Sequence, residues 1–564
     1  MPYDPEKITF FAKADARGKD TPFGIKAKDR SKHLYIIGKT GMGKSTLLEN
    51  MAVQDIQNGE GIAFIDPHGS TAEKLLEYIP QERVEDVLYF APFDMEYPVS
   101  FNVMEDVGAD KRHLVVSGLM STFKKIWVDA WSARMEYILS NTLLALLEYP
   151  DSTLLGVNRM LSDKPYREMV VENVTDPSVR SFWVDEFAKY NERYMQEAGD
   201  AIKNKVGQFT ANPLIRNIIG QPKSSFDMRA IMDEKKILIM NLSKGLVGET
   251  NANLLGSMLI TRIYLSAMSR ANLNANELAK MPNFYFYVDE FQSFANETFA
   301  NILSEARKYK LNLTIAHQYI EQMEEEVRDA VFGNVGTTVA FRVGPLDAEF
   351  LEAIFTPTFL ATDLVNLGFA QIYLSLMIDG IGSRPFSAVT LPPITPSHSS
   401  YQGHVIAASR RKYAQARAEV EEVIQRWHAP IKKQMDASAT PKVIVPKKPK
   451  VEIVPKNVVA QTPIVESPKH QSPDMDELRG VLRSIVDTET HKISDERRKN
   501  NEKFQTRKRS ATPDNALHSA LTQVLSQNAV VPHQNDTHNE EGAFVKKVER
   551  MLRVTGNDKL PFRL

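Results

Sequence analysis

The 564-residue chain contains no cysteine. Disulfides, thiolate nucleophiles and cysteine-ligated zinc or iron–sulfur centres are therefore excluded, and the absence suits a reducing compartment. No uninterrupted apolar run reaches the roughly 18–20 residues that a bilayer crossing needs. The start, Met1-Pro-Tyr-Asp-Pro-Glu-Lys7, lacks both the basic and the apolar region of a signal peptide. These absences predict a soluble, cytoplasmic protein. Surplus charge is missing too: 69 Lys and Arg against 71 Asp and Glu leave a formal net charge of −2. Taken alone, that balance argues against a nucleic-acid partner.

The balance is an average over unlike parts. Residues 436–564 carry 22 Lys and Arg against 17 Asp and Glu, a net of +5, which leaves −7 for residues 1–435. Seven prolines fall between Pro441 and Pro473, a spacing that blocks helices and long ladders and predicts an extended linker. Beyond it come a short helical periodicity (Leu478, Val481, Leu482, Ile485) and a basic run with Arg497, Arg498, Lys499, Arg507, Lys508 and Arg509. A Pro- and Lys-rich, mostly disordered tail is expected over 436–564.

The body has a different texture. Short β-rich runs lie at Leu34–Ile37, Ile62–Ile65, Val87–Phe90, Ile237–Met240, Phe284–Val288, Leu313–Ala316, Thr338–Arg342 and Ala370–Leu376. Helical stretches separate them, the rhythm of an α/β fold with a mostly parallel sheet. Between about 110 and 225 that rhythm stops, and helices are expected over Arg112–Phe123, Asp129–Leu147, Asp176–Glu192 and Glu197–Gln208. The expected organisation is an N-terminal strap (1–30) and a core in two parts (31–110 and 226–395) interrupted by an all-helical insertion (111–225). A closing helix near Ser409–Trp427 would occupy 396–435.

Gly38-Lys39-Thr40-Gly41-Met42-Gly43-Lys44-Ser45-Thr46 follows a predicted strand and opens a predicted helix, and it fits the pattern G-x-x-x-x-G-K-[ST]. Glycines let successive N–H groups converge on phosphate oxygens, and the helix start adds its positive end. Lys44 would reach the β- and γ-phosphates and the Ser45 hydroxyl would ligate Mg²⁺. The loop by itself indicates a nucleoside triphosphate and leaves the use of its energy open.

Phe284-Tyr-Phe-Tyr-Val288 ends in Asp289 and Glu290. Neighbours on a strand point to opposite faces, so a division of labour is expected: Asp289 in the magnesium shell, Glu290 polarising an attacking water. The next strand ends at His317-Gln318, where the Gln318 amide could contact the γ-phosphate or the water. Asp66, in Ile65-Asp66-Pro67-His68-Gly69, is expected behind the magnesium, with His68 structural. Arg307 and Arg342 are candidate charge stabilisers, either of which could act on a neighbouring subunit's nucleotide.

The order of Gly38–Ser45, Asp66-Pro-His-Gly69, Val288-Asp-Glu290-Phe291, Glu305-Ala-Arg307-Lys-Tyr309 and Ala316-His-Gln318 resembles the type IV secretion coupling proteins of conjugation (the TraD/TraG/VirD4 group). It also resembles the wider HerA/FtsK group of hexameric DNA-pumping ATPases. The resemblance covers about 20–395, with a helical domain interrupting a RecA-like P-loop core. It implies ATP hydrolysis with Mg²⁺ at subunit interfaces, a hexameric ring and DNA, single- or double-stranded, threaded through it. Nucleotide roles would fall to Lys44, Ser45, Asp289, Glu290 and Gln318, and an interface role to Arg307. Membrane-tethered members carry transmembrane helices ahead of the nucleotide domain, whereas some 30 residues precede the first expected core strand here. The resemblance thus implies either a soluble branch or a membrane-anchored secretion or relaxosome partner, with the protein peripheral at the inner face of the membrane.

Candidate DNA contacts are Lys124 and Lys125 beside Trp127, the stretch Lys203–Lys205 leading to Arg216, and the basic tail. Two rival readings stand beside the DNA translocase. One is a VirB4-like secretion or pilus assembly ATPase acting on proteins; the other is a nucleotide-gated scaffold without turnover.

Overall fold

The computed structural model describes residues 3–16, 19–396 and 399–429; the expected tail lies outside the described residues. Thirteen strands are present among them. In chain order they are β1 (Ile8–Ala16), β2 (Lys19–Lys26), β3 (Leu34–Ile37), β4 (Gly61–Asp66), β5 (Val87–Phe90) and β6 (Ile237–Asn241). Then follow β7 (Phe284–Val288), β8 (Leu311–His317), β9 (Thr337–Ala340), β10 (Gln371–Ser375), β11 (Met377–Ile378), β12 (Ile381–Gly382) and β13 (Phe386–Thr390). Eleven form one sheet in the order β2-β1-β13-β10-β9-β3-β8-β7-β4-β6-β5, and β11 and β12 pair as a separate hairpin. From β9 through to β5 every pairing is parallel, and from β9 outward through β10 to β2 every pairing is antiparallel.

A parallel sheet covered on both faces needs strands that are apolar throughout. All residues of β3 and β7 are buried, and the period of two sorts them between two cores. Leu34 and Ile36, with Tyr285 and Tyr287, face the helix Lys44–Gln57. Tyr35 and Ile37, with Phe286 and Val288, face the side on which the helical segment packs. That segment leaves the sheet after its edge strand β5 and returns at β6, so it enlarges the fold without breaking a strand order. Its first helix, Arg112–Ile126, crosses the core helix Glu249–Met268 at Gly118. A Cβ there would stand 2.6 Å from Thr261 Cγ2, so the absent side chain permits the close approach.

The α/β core with a helical insertion is as expected, and several of its parts differ in detail. The N-terminal residues expected as a strap instead form the hairpin β1–β2, which joins the sheet through β13. The stretch Asp176–Glu192 breaks into a helix Pro177–Ser181, a π turn Phe182–Glu186 and a 3-10 turn Phe187–Lys189. The wider turn brings Phe182, Trp183 and Phe187 into one buried aromatic cluster, with Trp183 and Phe187 4.6 Å apart. The closing helix is two, Gln402–Tyr413 and Arg417–His428, split where Ala414 bridges to Val99 and Arg417 N–H bonds the Glu96 carbonyl at 3.0 Å.

Candidate nucleotide site

The carboxyl ends of β3, β7 and β8 meet at one place on the sheet, which is where open α/β sheets place ligands. The loop Gly38–Gly43 leaves β3 there and turns into the helix Lys44–Gln57 with Gly43 at φ 111, a conformation that only glycine adopts freely. The loop is tied to its neighbours by backbone: Gly38 N–H to the His317 carbonyl at 3.2 Å and Lys39 N–H to the Arg342 carbonyl at 2.8 Å. Lys44 Nζ donates to the loop's own Gly38 and Lys39 carbonyls at 2.6 and 3.2 Å, which keeps the ammonium in the hollow of the loop. Burial lowers its pKa, against the opposing pull of Glu290 and Asp289.

Ser45 and Asp289 come together, the hydroxyl donating to Asp289 Oδ2 at 2.9 Å. Burial, and then the charges of Asp66 and Glu290, push Asp289 up to about 6, against hydrogen bonds from Ser45 and the Glu290 N–H. A buried carboxylate crowded by two others is relieved by a cation. Ser45 and Asp289 supply two hard oxygens for one, and among the described residues no group of three His, Cys, Asp or Glu could hold a metal. Two protein oxygens suit magnesium, which takes its other ligands from phosphate and water.

Glu290 leaves the strand in a left-handed turn (φ 49, ψ 48), so the alternation expected of neighbouring strand residues does not separate it from Asp289. Its carboxylate is clamped. Gln318 Nε2 donates to one oxygen and Gln292 Nε2 to the other, and His68 Nε2 lies 3.7 Å away. Burial alone would raise its pKa, but the contacts with His68, Gln318 and Gln292 and the charge of Lys44 outweigh it and hold Glu290 at about 2. The contact with Glu290 in turn raises the pKa of His68. Gln318 Oε1 accepts from Thr40 Oγ1 at 3.1 Å, so one amide spans from the phosphate loop to Glu290.

The remaining candidates fall elsewhere. Asp66 does not open toward a metal: Oδ1 accepts from His68 N–H at 2.8 Å, and Oδ2 from Thr71 and Ala72 N–H at 2.8 and 2.9 Å. It caps the helix Ser70–Leu75 and reaches the site through its charge on Asp289 and on His68. Arg342 lies just past β9, its carbonyl on the loop of its own chain. Arg307 is exposed on the 3-10 turn Ala306–Tyr309 and forms no ion pair among the described residues. Of the basic residues considered for DNA, Lys203 pairs with Asp200 at 2.7 Å, and Arg216 lines a cavity with Glu421 and His428. Lys125 is turned inward on the loop after Glu290, and Lys124 stays exposed. Sequence reasoning missed Gln292, and treated His68 as unconnected to Glu290. The spacing Glu290-x-Gln292 after a strand end was the available signal for the first.

Residues 7–334, more than half of the chain, match the family described as type IV secretory system conjugative DNA transfer. No curated protein matches. Among solved structures, the plasmid coupling protein TrwB in complex with ADP and Mg²⁺ is 14% identical, over 71% of this chain and 98% of that one, with a TM-score of 0.51. TrwB with the ATP analogue ADPNP is 15% identical, over 71% and 92%, also at 0.51. VirB4 of Thermoanaerobacter pseudethanolicus is 13% identical over 72% and 99%, at a TM-score of 0.42.

Proposed function

Because the chain belongs to the type IV secretory system conjugative DNA transfer family, we propose that it is an ATP-hydrolysing DNA translocase of a conjugative or type IV secretion-like transfer system. The observation that carries the reading is the continuous link from Thr40 through Gln318 to Glu290, beside Lys44, Ser45 and Asp289. The nucleotide and metal complexes named for TrwB support ATP and Mg²⁺ as the occupants.

The nine residues Gly38–Thr46 would bind the phosphates through backbone N–H groups, and Lys44 would exchange its two carbonyl partners for phosphate oxygens. Mg²⁺ on Ser45 and Asp289 would neutralise charge at the β- and γ-phosphates. Glu290 is the group that accepts the proton of the attacking water. While Gln318 and Gln292 hold both its oxygens it is a weak base, so hydrolysis requires the clamp to loosen. A γ-phosphate that attracts the Gln318 amide would do so, which couples base activation to the presence of ATP rather than ADP.

Subunits would assemble as a ring, a hexamer as in the HerA/FtsK group, with exposed Arg307 reaching a neighbour's nucleotide and Arg342 serving its own chain's loop. DNA would pass through the ring, and the helical insertion, residues 111–225, would face one mouth and select the substrate. No helix among the described residues is long and apolar enough to cross a membrane. A cytoplasmic site of action would be brought to the membrane's inner face by an anchored secretion or relaxosome partner.

The test is the ATPase rate with and without single- and double-stranded DNA across a salt series. Stimulation that declines steeply with salt is expected, and its absence with both DNAs overturns the reading. Mixing inactive Arg307→Ala chains with inactive Lys44→Ala chains should restore turnover, because each mixed interface can supply what the other lacks. No recovery removes Arg307 from the trans role.

A further inference from the structure

The segment after Glu290 is held by two lysines from different parts of the fold. From the core, Lys244 Nζ bonds Ser293 Oγ at 3.0 Å. From the insertion, Lys125 Nζ donates to the carbonyl of Gln292 at 2.7 Å and to that of Ala295. Lys125 lies in the last turn of the helix Arg112–Ile126. Burial pulls its pKa down to about 8, against Glu324, with Lys244 adding to the fall. Packing a helix end against a loop does not require a half-buried ammonium, since an apolar chain does it at lower cost. What the ammonium adds is direction: it fixes two carbonyls that point its way.

Those carbonyls sit in the middle of one short connected piece. At its start, the Gln292 side chain holds Glu290, one residue removed from the peptide that Lys125 grips. At its far side, Asn296 follows Ala295 and caps the helix Glu297–Glu305, accepting from Phe299 N–H at 3.2 Å. That helix runs into the turn bearing Arg307. Phe291 and Phe299 pack at 4.4 Å, which joins the two halves. Lys125 itself borders a cavity of 820 Å³, lined also by Lys124, Trp131, Asn296, Glu324 and Glu326, which leaves the insertion's edge room to shift.

We propose that Lys125 is a positioning residue through which the helical insertion sets the carboxylate of Glu290 and the placement of Arg307. The inference rests on the hydrolytic reading of the site given above. Substrate that moves the insertion would slacken or tighten the Gln292–Ala295 carbonyls, and the change would reach the chain's own water-activating group and its neighbour's nucleotide together.

The full chain carrying Lys125→Met, Lys125→Gln or Lys125→Arg tests this. For Lys125→Met, nucleotide affinity within about twofold of the parent is expected, with kcat lowered about ten- to a hundredfold and DNA stimulation abolished. Lys125→Arg, which keeps charged donors, should recover most of both. Lys125→Gln keeps a donor without the charge and serves if the methionine variant does not fold. Independently of activity, amide hydrogen exchange on nucleotide-free protein should quicken over 291–296 in Lys125→Met and stay unchanged over the helix Lys44–Gln57. Unaltered kcat in a folded variant, or unaltered exchange over 291–296, overturns the proposal. Absence of hydrolysis by the parent chain overturns the functional reading instead, and the exchange result still decides whether Lys125 holds the loop.

Discussion

Tyr285 and Tyr287, in the middle of β7, belong to a buried cluster in which every charge is matched, whereas Asp289 and Glu290, two residues further on, belong to one in which they are not. In the first, Arg30 donates to both oxygens of Asp55 at 2.7 and 2.9 Å, to Tyr287 Oη at 2.7 Å and to Thr9 Oγ1 at 3.1 Å. The Tyr287 hydroxyl donates to Asp55 at 2.5 Å, and the guanidinium lies 3.7 Å over the Tyr285 ring. One cation meets one anion, and the groups link the N-terminal hairpin, the helix Lys44–Gln57 and β7. In the second, Asp289 is crowded by the charges of Asp66 and Glu290, and Asp289 and Glu290 both act on Lys44, whose ammonium is turned to its own loop. A matched cluster has nothing to gain from a ligand and can only hold the fold; an unmatched one is completed by a cation and phosphates.

The comparison can be broken at either end. The largest effect is expected from Glu290→Gln, which should lower ATP turnover about a thousandfold while nucleotide binding and the thermal melt stay close to the parent. Asp55→Ala should do the reverse, stranding a buried guanidinium at a cost of about 3–5 kcal/mol in urea unfolding, with an unchanged KM for ATP in the fraction that folds. A loss of turnover without loss of stability in Asp55→Ala would erase the distinction between the clusters.

Asp289→Asn sharpens it. Asp289 holds its proton up to about pH 6 in the fold, well above its ordinary value. The native state therefore binds more protons than the unfolded chain between about pH 4 and 6. Stability falls as pH rises through that window, and the ionised group destabilises the empty site above it. Asp289→Asn should then gain about 1–3 kcal/mol at pH 7–8, with no gain below about pH 4 and with Mg²⁺-dependent nucleotide binding weakened. Unfolding curves of both chains at several pH values check the sign. The smallest effect belongs to exposed His68: His68→Ala should shift turnover by no more than about threefold, because Gln318 and Gln292 still hold Glu290.

Where the sequence was readable, the determinants were local. A strand buried on both faces must be apolar throughout, so the run Phe284–Val288 announced β7 and the acids at its end; the phosphate loop is nine consecutive residues. Where it was opaque, the determinants were distant. The residues of the hairpin β1–β2 read as a strap, because a hairpin at a sheet edge does not show the continuous apolar run of a strand buried on both faces. For Asp66, expected behind the magnesium, the sequence did not show that the N–H groups of His68, Thr71 and Ala72 return to its carboxylate. Lys125 read as a candidate DNA contact, and only the meeting of helix and loop shows its ammonium turned onto backbone carbonyls. The Thr40–Gln318–Glu290 link joins Thr40 to a residue 278 positions away by way of strand order, which no local pattern records.

Among the described residues, the first strand pairs with the last. β1 takes its register from β13, with Ala12 opposite Thr390 and Lys13 opposite Val389, and Leu391 N–H bonds the Phe11 carbonyl at 3.0 Å. During synthesis the hairpin that emerges first must therefore wait for residue 390, on the order of tens of seconds at about 5–20 residues per second. The parallel strands beside the phosphate loop can assemble before that, but the sheet keeps an open flank until its two ends meet. Completion of the sheet is in this sense a proofreading step, since a chain cut short before β13 leaves the hairpin β1–β2 without the strand that joins it to the rest of the sheet.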